Sequence, residues 1–121
     1  GAMDYAAFSN LTNYYLHALA FPAPRLQVEL ALHRLELTER REGWILGSGP
    51  YDDANLGYAG RNGYGGSHIG DEIDLIATYG ISEAFAVEAG GGVFFGGEVA
   101  EASLPVHSDG TWLYAQLTWK F

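Results

Sequence analysis

The stretch that decides the fold is IGDEIDLIATYGISEAFAVEAGGGVFFGGE, which runs from Ile69 to Glu98. In its first half, apolar residues such as Ile73 and Leu75 alternate with polar ones such as Glu72 and Asp74. The second half alternates in the same way from Phe85 onward. A period of two is the signature of a β-strand with two different faces. The intervening Ser82–Ala84 fits a short turn, so this stretch predicts a β-hairpin with strands over Ile69–Ile81 and Phe85–Glu98.

Three more segments have strand character: Asn10–Phe21, Arg25–Arg40 and Gly110–Phe121. In Arg25–Arg40 the alternation slips by one residue at His33–Arg34, where we expect a β-bulge. An alternative for this segment is a helix, because Leu, Glu, Arg and Ala are good helix formers. The apolar residues would form a broad helical stripe, however, and the alternation favours a strand.

The connections between the five segments alternate in length. Pro22–Pro24 and Ser82–Ala84 are short, whereas Arg41–Ser67 and Val99–Asp109 are long. Short turns at one end and long loops at the other are typical of outer-membrane barrels. Each segment also reaches the length of about 9–11 residues that a tilted strand needs to cross a bilayer. We therefore expect an all-β fold, with antiparallel transmembrane β-barrel strands that form part of a larger barrel.

The same pattern assigns the two faces of the strands, because charges are costly toward lipid and acceptable toward a wet lumen. Aromatic residues near strand ends are expected at the membrane interface. The predicted lumen-facing residues, which would line the solute pathway, are Glu29, Arg34, Glu36, Glu72, Asp74, Glu88, Gln116 and Lys120. The predicted interface aromatics are Phe21, Tyr79, Phe85, Phe95, Trp119 and Phe121.

Length and composition limit the function classes. With 121 residues the chain has room for one domain, which we assign to residues 4–121; Gly1–Met3 resembles the scar of an expression tag. The net charge of −9, with only 6 Lys and Arg, argues against a nucleic-acid partner. The chain has no cysteine, so disulfides and cysteine metal sites are impossible.

No motif indicates catalysis, a metal or a cofactor, and we expect none of the three. Glu72, Asp74 and Glu88 have the chemistry for cation binding or acid–base work; a structural lumen network with Arg34 or Lys120 is the favoured interpretation. His17, His33, His68 and His107 lack metal-ligand spacing. Tyr51–Asn55 lacks the residues of a calcium loop, and Gly57–Gly66 those of a phosphate loop.

Gly90–Gly92 is unusual because it lies inside a predicted strand, where glycine weakens pairing. We consider two explanations for it. The glycines mark a bend of the barrel wall, or they leave room for a bulky neighbour such as Trp112 or Tyr114.

Three stretches resemble the C-terminal part of the alginate-export family of outer-membrane β-barrels. The most specific is His68–Glu98. It contains a strand with the pattern Gly-x-Glu-x-Asp from Gly70 to Asp74, and then a second strand that ends in aromatic residues and glycine, up to Gly97. The approach LHRLELTERREGW, followed by a Gly-, Asn- and Tyr-rich loop, is also similar to the family. The terminal Trp119–Phe121 resembles the signal by which outer-membrane barrels are recognised for assembly.

The resemblance implies a pore of about eighteen strands in the bacterial outer membrane that passes an anionic polysaccharide. The expected partners are the lipid bilayer and a polysaccharide or other small hydrophilic solute. The remainder of a larger barrel, or further copies of the chain, would complete the wall. Two other functions fit the alternation as well: a soluble β-barrel module that binds a small ligand, and a structural oligomer that pairs strand edges.

Overall fold

The computed structural model describes residues 10–46, 59–62, 66–104 and 107–121. Its elements are β1 (Leu11–Ala23), β2 (Leu26–Leu37), β3 (Trp44–Leu46), β4 (Ala59–Arg61), β5 (His68–Gly80), β6 (Phe85–Gly96), α1 (Glu98–Ser103) and β7 (Gly110–Trp119). Within these described ranges, no helix has both the length and the apolar character needed to cross a membrane.

Five long strands form one sheet in the order β1-β2-β5-β6-β7, and all neighbours are antiparallel. This confirms the predicted all-β fold with five antiparallel strands. The sheet is not closed, so β1 and β7 are its two edges. The predicted tag scar at Gly1–Met3 lies outside the described residues.

Two short turns lie at one end of the sheet, which we call the turn end. The β1–β2 turn contains Arg25 in a left-handed conformation, with φ of 67°. Arg25 Nη1 also donates to the carbonyl oxygen of Ile81, at 3.2 Å, and so ties this turn to the β5–β6 turn. The Ser82 hydroxyl accepts hydrogen bonds from the backbone amides of Ala84 and Phe85. The opposite end of the sheet, where the long connections lie, is the loop end.

The pairing of β2 corrects one prediction. Its pairing is continuous from Val28 to Leu35 against both neighbours, so the predicted slip at His33–Arg34 is wrong. The register shift lies instead between Leu35 and Glu36, where Ile69 is the extra residue on β5. Since strand partners share a face, Arg34 and Glu36 lie on the face opposite Glu29, not with it.

A small hydrophobic core at the loop end explains why β2 was misassigned. Its members are Leu35, Leu37, Trp44, Ile69, Phe94, Val99 and Ala100, all buried. The long connections therefore carry structure that the sequence did not predict: the β3–β4 hairpin in Arg41–Ser67 and α1 at the start of Val99–Asp109. Because Leu35 and Leu37 are buried in one cluster with Trp44 and with Val99 of α1, these leucines need no lipid-facing position.

Glu98 fastens α1 to the start of β5. Its carboxylate accepts the backbone amides of Ser67, at 2.9 Å, and His68, at 3.4 Å. These two hydrogen bonds, the one from Ser67 first, lower the pKa of Glu98 below its ordinary value. The ionised carboxylate thus holds the connection between β6 and β7 against the loop end of the sheet.

Candidate functional site

One face of the sheet, the apolar face, is made of exposed apolar side chains. Its large exposed members are Tyr14, Leu16, Leu30, Leu32, Ile73, Leu75, Tyr79, Phe85, Val93, Phe95, Leu113, Leu117 and Trp119. Leu113 is 84% exposed and Leu75 is 53% exposed. Among the described strand residues, this face carries no charge between the level of Asp71 and that of Tyr79. This distance of eight residues corresponds to about 27 Å along the strand.

The charged residues of the apolar face lie at its loop end. Arg34 forms a two-pronged ion pair with Asp71, with Nε–Oδ1 at 2.8 Å and Nη2–Oδ2 at 3.2 Å. His68 Nε2 lies 3.2 Å from Asp71 Oδ2. Tyr14 is the β1 partner of Arg34, and Phe95 is the β6 partner of Asp71. Charged and aromatic side chains thus bound the apolar band at this end.

The turn end carries most of the predicted interface aromatics. Phe85 and Trp119 are strand partners whose rings stack with centroids 5.8 Å apart, and Phe121 lies edge-on to Trp119, also at 5.8 Å. Tyr79 and Phe21 are exposed at this end too, whereas Phe95 lies at the loop end. The six aromatics therefore lie near strand ends, although their position in a membrane remains a prediction.

The opposite face, the polar face, gathers five of the predicted lumen residues. They are Glu29, Glu72, Asp74, Glu88 and Gln116, and the register puts all of them on one side. Glu72 and Asp74 are only 1% and 3% exposed. Lys120 follows the last residue of β7 and is exposed at the turn end. The role of these residues as a solute pathway remains a prediction.

The acids of the polar face have partners that the sequence did not predict. Glu88 accepts hydrogen bonds from the Thr78 hydroxyl, at 3.0 Å, and from the Tyr114 hydroxyl, at 2.5 Å. Asp74 Oδ1 accepts from Trp112 Nε1 at 3.3 Å, and its Oδ2 lies 3.9 Å from His33 Nε2. The expected pairing of this network with Arg34 is wrong, because Arg34 is on the other face.

The histidines His17, His33 and His68 take part in hydrogen bonds and ion pairs. His33 Nδ1 lies 3.1 Å from Asn13 Nδ2, and His17 Nε2 lies 3.4 Å from Glu29 Oε2. Among the residues that the structure describes, no three His, Asp or Glu side chains form a group suited to a metal ion. Tyr51–Asn55, the stretch compared above with a calcium loop, lies outside those residues.

The glycines of β6 make room for the aromatic rings of β7. A Cβ atom on Gly90 would lie 2.5 Å from Tyr114 Cε1, and one on Gly92 would overlap Trp112 Nε1 and Asp74 Oδ1. Real Cβ atoms do not approach other atoms so closely. Of the two explanations for Gly90–Gly92, the structure therefore supports room for bulky neighbours.

Comparisons with known proteins agree with this architecture. The family described as Alginate export matches the chain over residues 1–113. The search of curated proteins gives no match, and neither does the search of solved structures. The family match covers nearly the whole chain. The fold found in the structure is an all-β sheet of long antiparallel strands. The chain belongs to the alginate export family.

Proposed function

We propose that this chain is a wall segment of an outer-membrane β-barrel that lets a polysaccharide or another hydrophilic solute pass by diffusion. The apolar face would contact lipid, and the polar face would line the lumen. The observation that carries the proposal is the separation of charge between the two faces. Among the described strand residues, the apolar face carries large exposed apolar side chains and no charge between the level of Asp71 and that of Tyr79, whereas the polar face carries the acids and their partners, together with exposed Tyr15 and Leu19 of the edge strand β1.

The apolar face is better suited to lipid than to water. Burying apolar surface gains roughly 25 cal/mol per Å², and soluble monomers rarely expose contiguous apolar patches larger than a few hundred Å². Here such side chains extend over all five strands of the sheet. The band from Asp71 to Tyr79 spans about 20 Å along a barrel axis once the strands tilt by about 40°. The aromatic rows at its ends bring it close to the outer-membrane apolar band of about 25 Å.

The open edges require further strands. Lipid cannot satisfy the backbone groups of an unpaired strand, so a membrane-spanning sheet must close. In the described sheet β1 and β7 point in the same direction, because four antiparallel pairings separate them. Outer-membrane barrels pair their strands antiparallel. The barrel would therefore be completed by other strands of a longer protein or by further copies of the chain.

Ion conductance tests this proposal directly. The full-length gene product, refolded in detergent and added to a planar lipid bilayer, should produce stepwise increases in current. Fractionated cells should hold the protein in the outer membrane, with heat-modifiable migration on a gel. A protein recovered as a monodisperse soluble monomer without detergent, with no conductance, would contradict the proposal and favour a soluble binding module.

A further inference from the structure

Trp112 and Tyr114 form a stacked aromatic pair on the polar face of β7. Their ring centroids are 5.2 Å apart and their planes differ by 15°. Both residues are partly exposed. Their strand partners are Gly92 and Gly90, near the middle of the long strand β6. The pair therefore lies level with the middle of β6, and Trp112 is the third residue of β7.

The rings of this aromatic pair are held in place by packing over β6 and by hydrogen bonds at their polar atoms. They occupy the space where side chains of Gly90 and Gly92 would stand. Asp74 accepts from the indole N–H, and Glu88 accepts from the phenol O–H. The rings cover part of each other by stacking, but both side chains remain partly exposed, so the exposed part of their ring surface is open to another molecule. Rigid aromatic surfaces with few rotatable bonds bind at a low cost in conformational entropy.

The charge around the pair argues against a polyanion as its ligand. Between the two ends of the strands, the described polar face carries four acids and no Lys or Arg; the acids are Glu29, Glu72, Asp74 and Glu88. Arg34, which the sequence placed on this face, lies on the other one. Because like charges repel, a lumen wall that carries acids disfavours an anionic ligand.

We propose that Trp112 and Tyr114 form a stacking site for the pyranose rings of a neutral polysaccharide. The site rests on the proposed function, because it needs the polar face to line a lumen. A pyranose ring has an apolar C–H surface, which packs on an aromatic face, and a rim of hydroxyls, which donate to carboxylates. Glu29 and Glu88 are the partly exposed acids of the polar face, whereas Glu72 and Asp74 are buried. A uronate chain offers the same ring surface but brings carboxylates to an acidic wall.

Titration calorimetry on the full-length protein in detergent tests this site. The probes are two neutral sugars, maltohexaose and β-1,4-mannohexaose, and the acidic hexamannuronate. We expect at least one neutral hexaose to bind and hexamannuronate to bind much more weakly. Trp112→Ala should weaken the neutral sugar about tenfold, as expected for the loss of one strong aromatic contact. Tyr114→Phe keeps the ring and should keep most of the affinity.

Trp119→Ala is the matched control, because Trp119 lies on the same strand but on the apolar face. It should leave sugar affinity unchanged. Bilayer conductance of each variant shows whether the barrel still forms. A conducting protein that binds neither neutral hexaose, or that binds hexamannuronate more tightly, would overturn the stacking site and leave the proposed pore intact. Equal loss of affinity in Trp112→Ala and Trp119→Ala would overturn it as well. Absence of conductance from the unmodified protein would count against the pore itself.

Discussion

Replacing Leu75 by arginine tests whether the apolar face contacts lipid. Leu75 is 53% exposed and lies on β5 four residues from both Asp71 and Tyr79, midway along the uncharged band. In a soluble protein an exposed position of this kind tolerates a charge, with a change within about 0.5 kcal/mol. In a bilayer, arginine at the midplane of a barrel wall costs about 2–4 kcal/mol. The two environments therefore differ by at least about 1.5 kcal/mol.

Gln116→Arg is the matched control. Gln116 is exposed on the polar face of β7, and its strand partner is Glu88. An arginine there would have a carboxylate nearby and water around it, so we expect a change of less than about 1 kcal/mol.

The assay is reversible urea unfolding of the protein in phospholipid vesicles, followed by tryptophan fluorescence and by heat-modifiable gel migration. The difference in free energy of unfolding comes from the midpoint and slope of each transition. If Leu75→Arg is as stable as the unmodified protein, or if Gln116→Arg loses as much as Leu75→Arg, the assignment of the two faces is wrong.

Three further substitutions test other parts of the structure. Gly92→Ala should lower the free energy of unfolding by about 1–3 kcal/mol through overpacking against the aromatic pair, whereas Gly80→Ala, whose Cβ would make only ordinary contacts, should change the urea midpoint little. Trp44→Ala removes the largest side chain of the loop-end core, at a cost of about 3–5 kcal/mol, and should make the loop end sensitive to protease. The lowered pKa of Glu98 means that its stabilisation is present above about pH 4.5 and lost as the pH falls through the lower folded value; the protection of the Ser67 amide against hydrogen exchange, taken relative to the intrinsic rate at each pH, should therefore fall in acid. In Glu98→Gln that protection should lack the pH-dependent step, and an unchanged step would contradict the assignment.

The long strands were predictable because the alternation is a local property of each strand. β5 and β6 face different surroundings on their two sides, so apolar and polar residues alternate with period two. The short turns carry their own signal in proline and serine. The space over Gly90–Gly92 was also predictable as one of two explanations, since a glycine run inside a strand calls for a bulky neighbour or a bend.

The face of Arg34 was not predictable from local sequence. Leu35 and Leu37 are apolar because they are buried at the loop end in one cluster with Trp44 and with Val99, which is distant in the chain. The sequence alone does not show this cluster, so the two leucines look like a change in the phase of the apolar–polar alternation. The ion pair of Arg34 with Asp71 depends on the β2–β5 register and could not be found without it.

α1 was missed although a signal was present. EVAEAS contains good helix formers with acids in the first turn, but six residues give too short a period for a helical pattern. Its packing through Val99 and Ala100 stabilises it in place of length.

Single-cysteine accessibility tests the central claim most directly, because the chain has no cysteine of its own. Leu75→Cys and Leu113→Cys place a thiol on the apolar face, and Gln116→Cys and Thr118→Cys place one on the polar face. In outer-membrane vesicles, a membrane-impermeant maleimide should label the polar-face pair and spare the apolar-face pair. A bimane label attached to the denatured protein before refolding should then be quenched by spin-labelled lipid chains only at Leu75 and Leu113. Equal labelling at all four positions, or lipid quenching at Gln116 and Thr118 instead, would contradict the proposed orientation of the sheet.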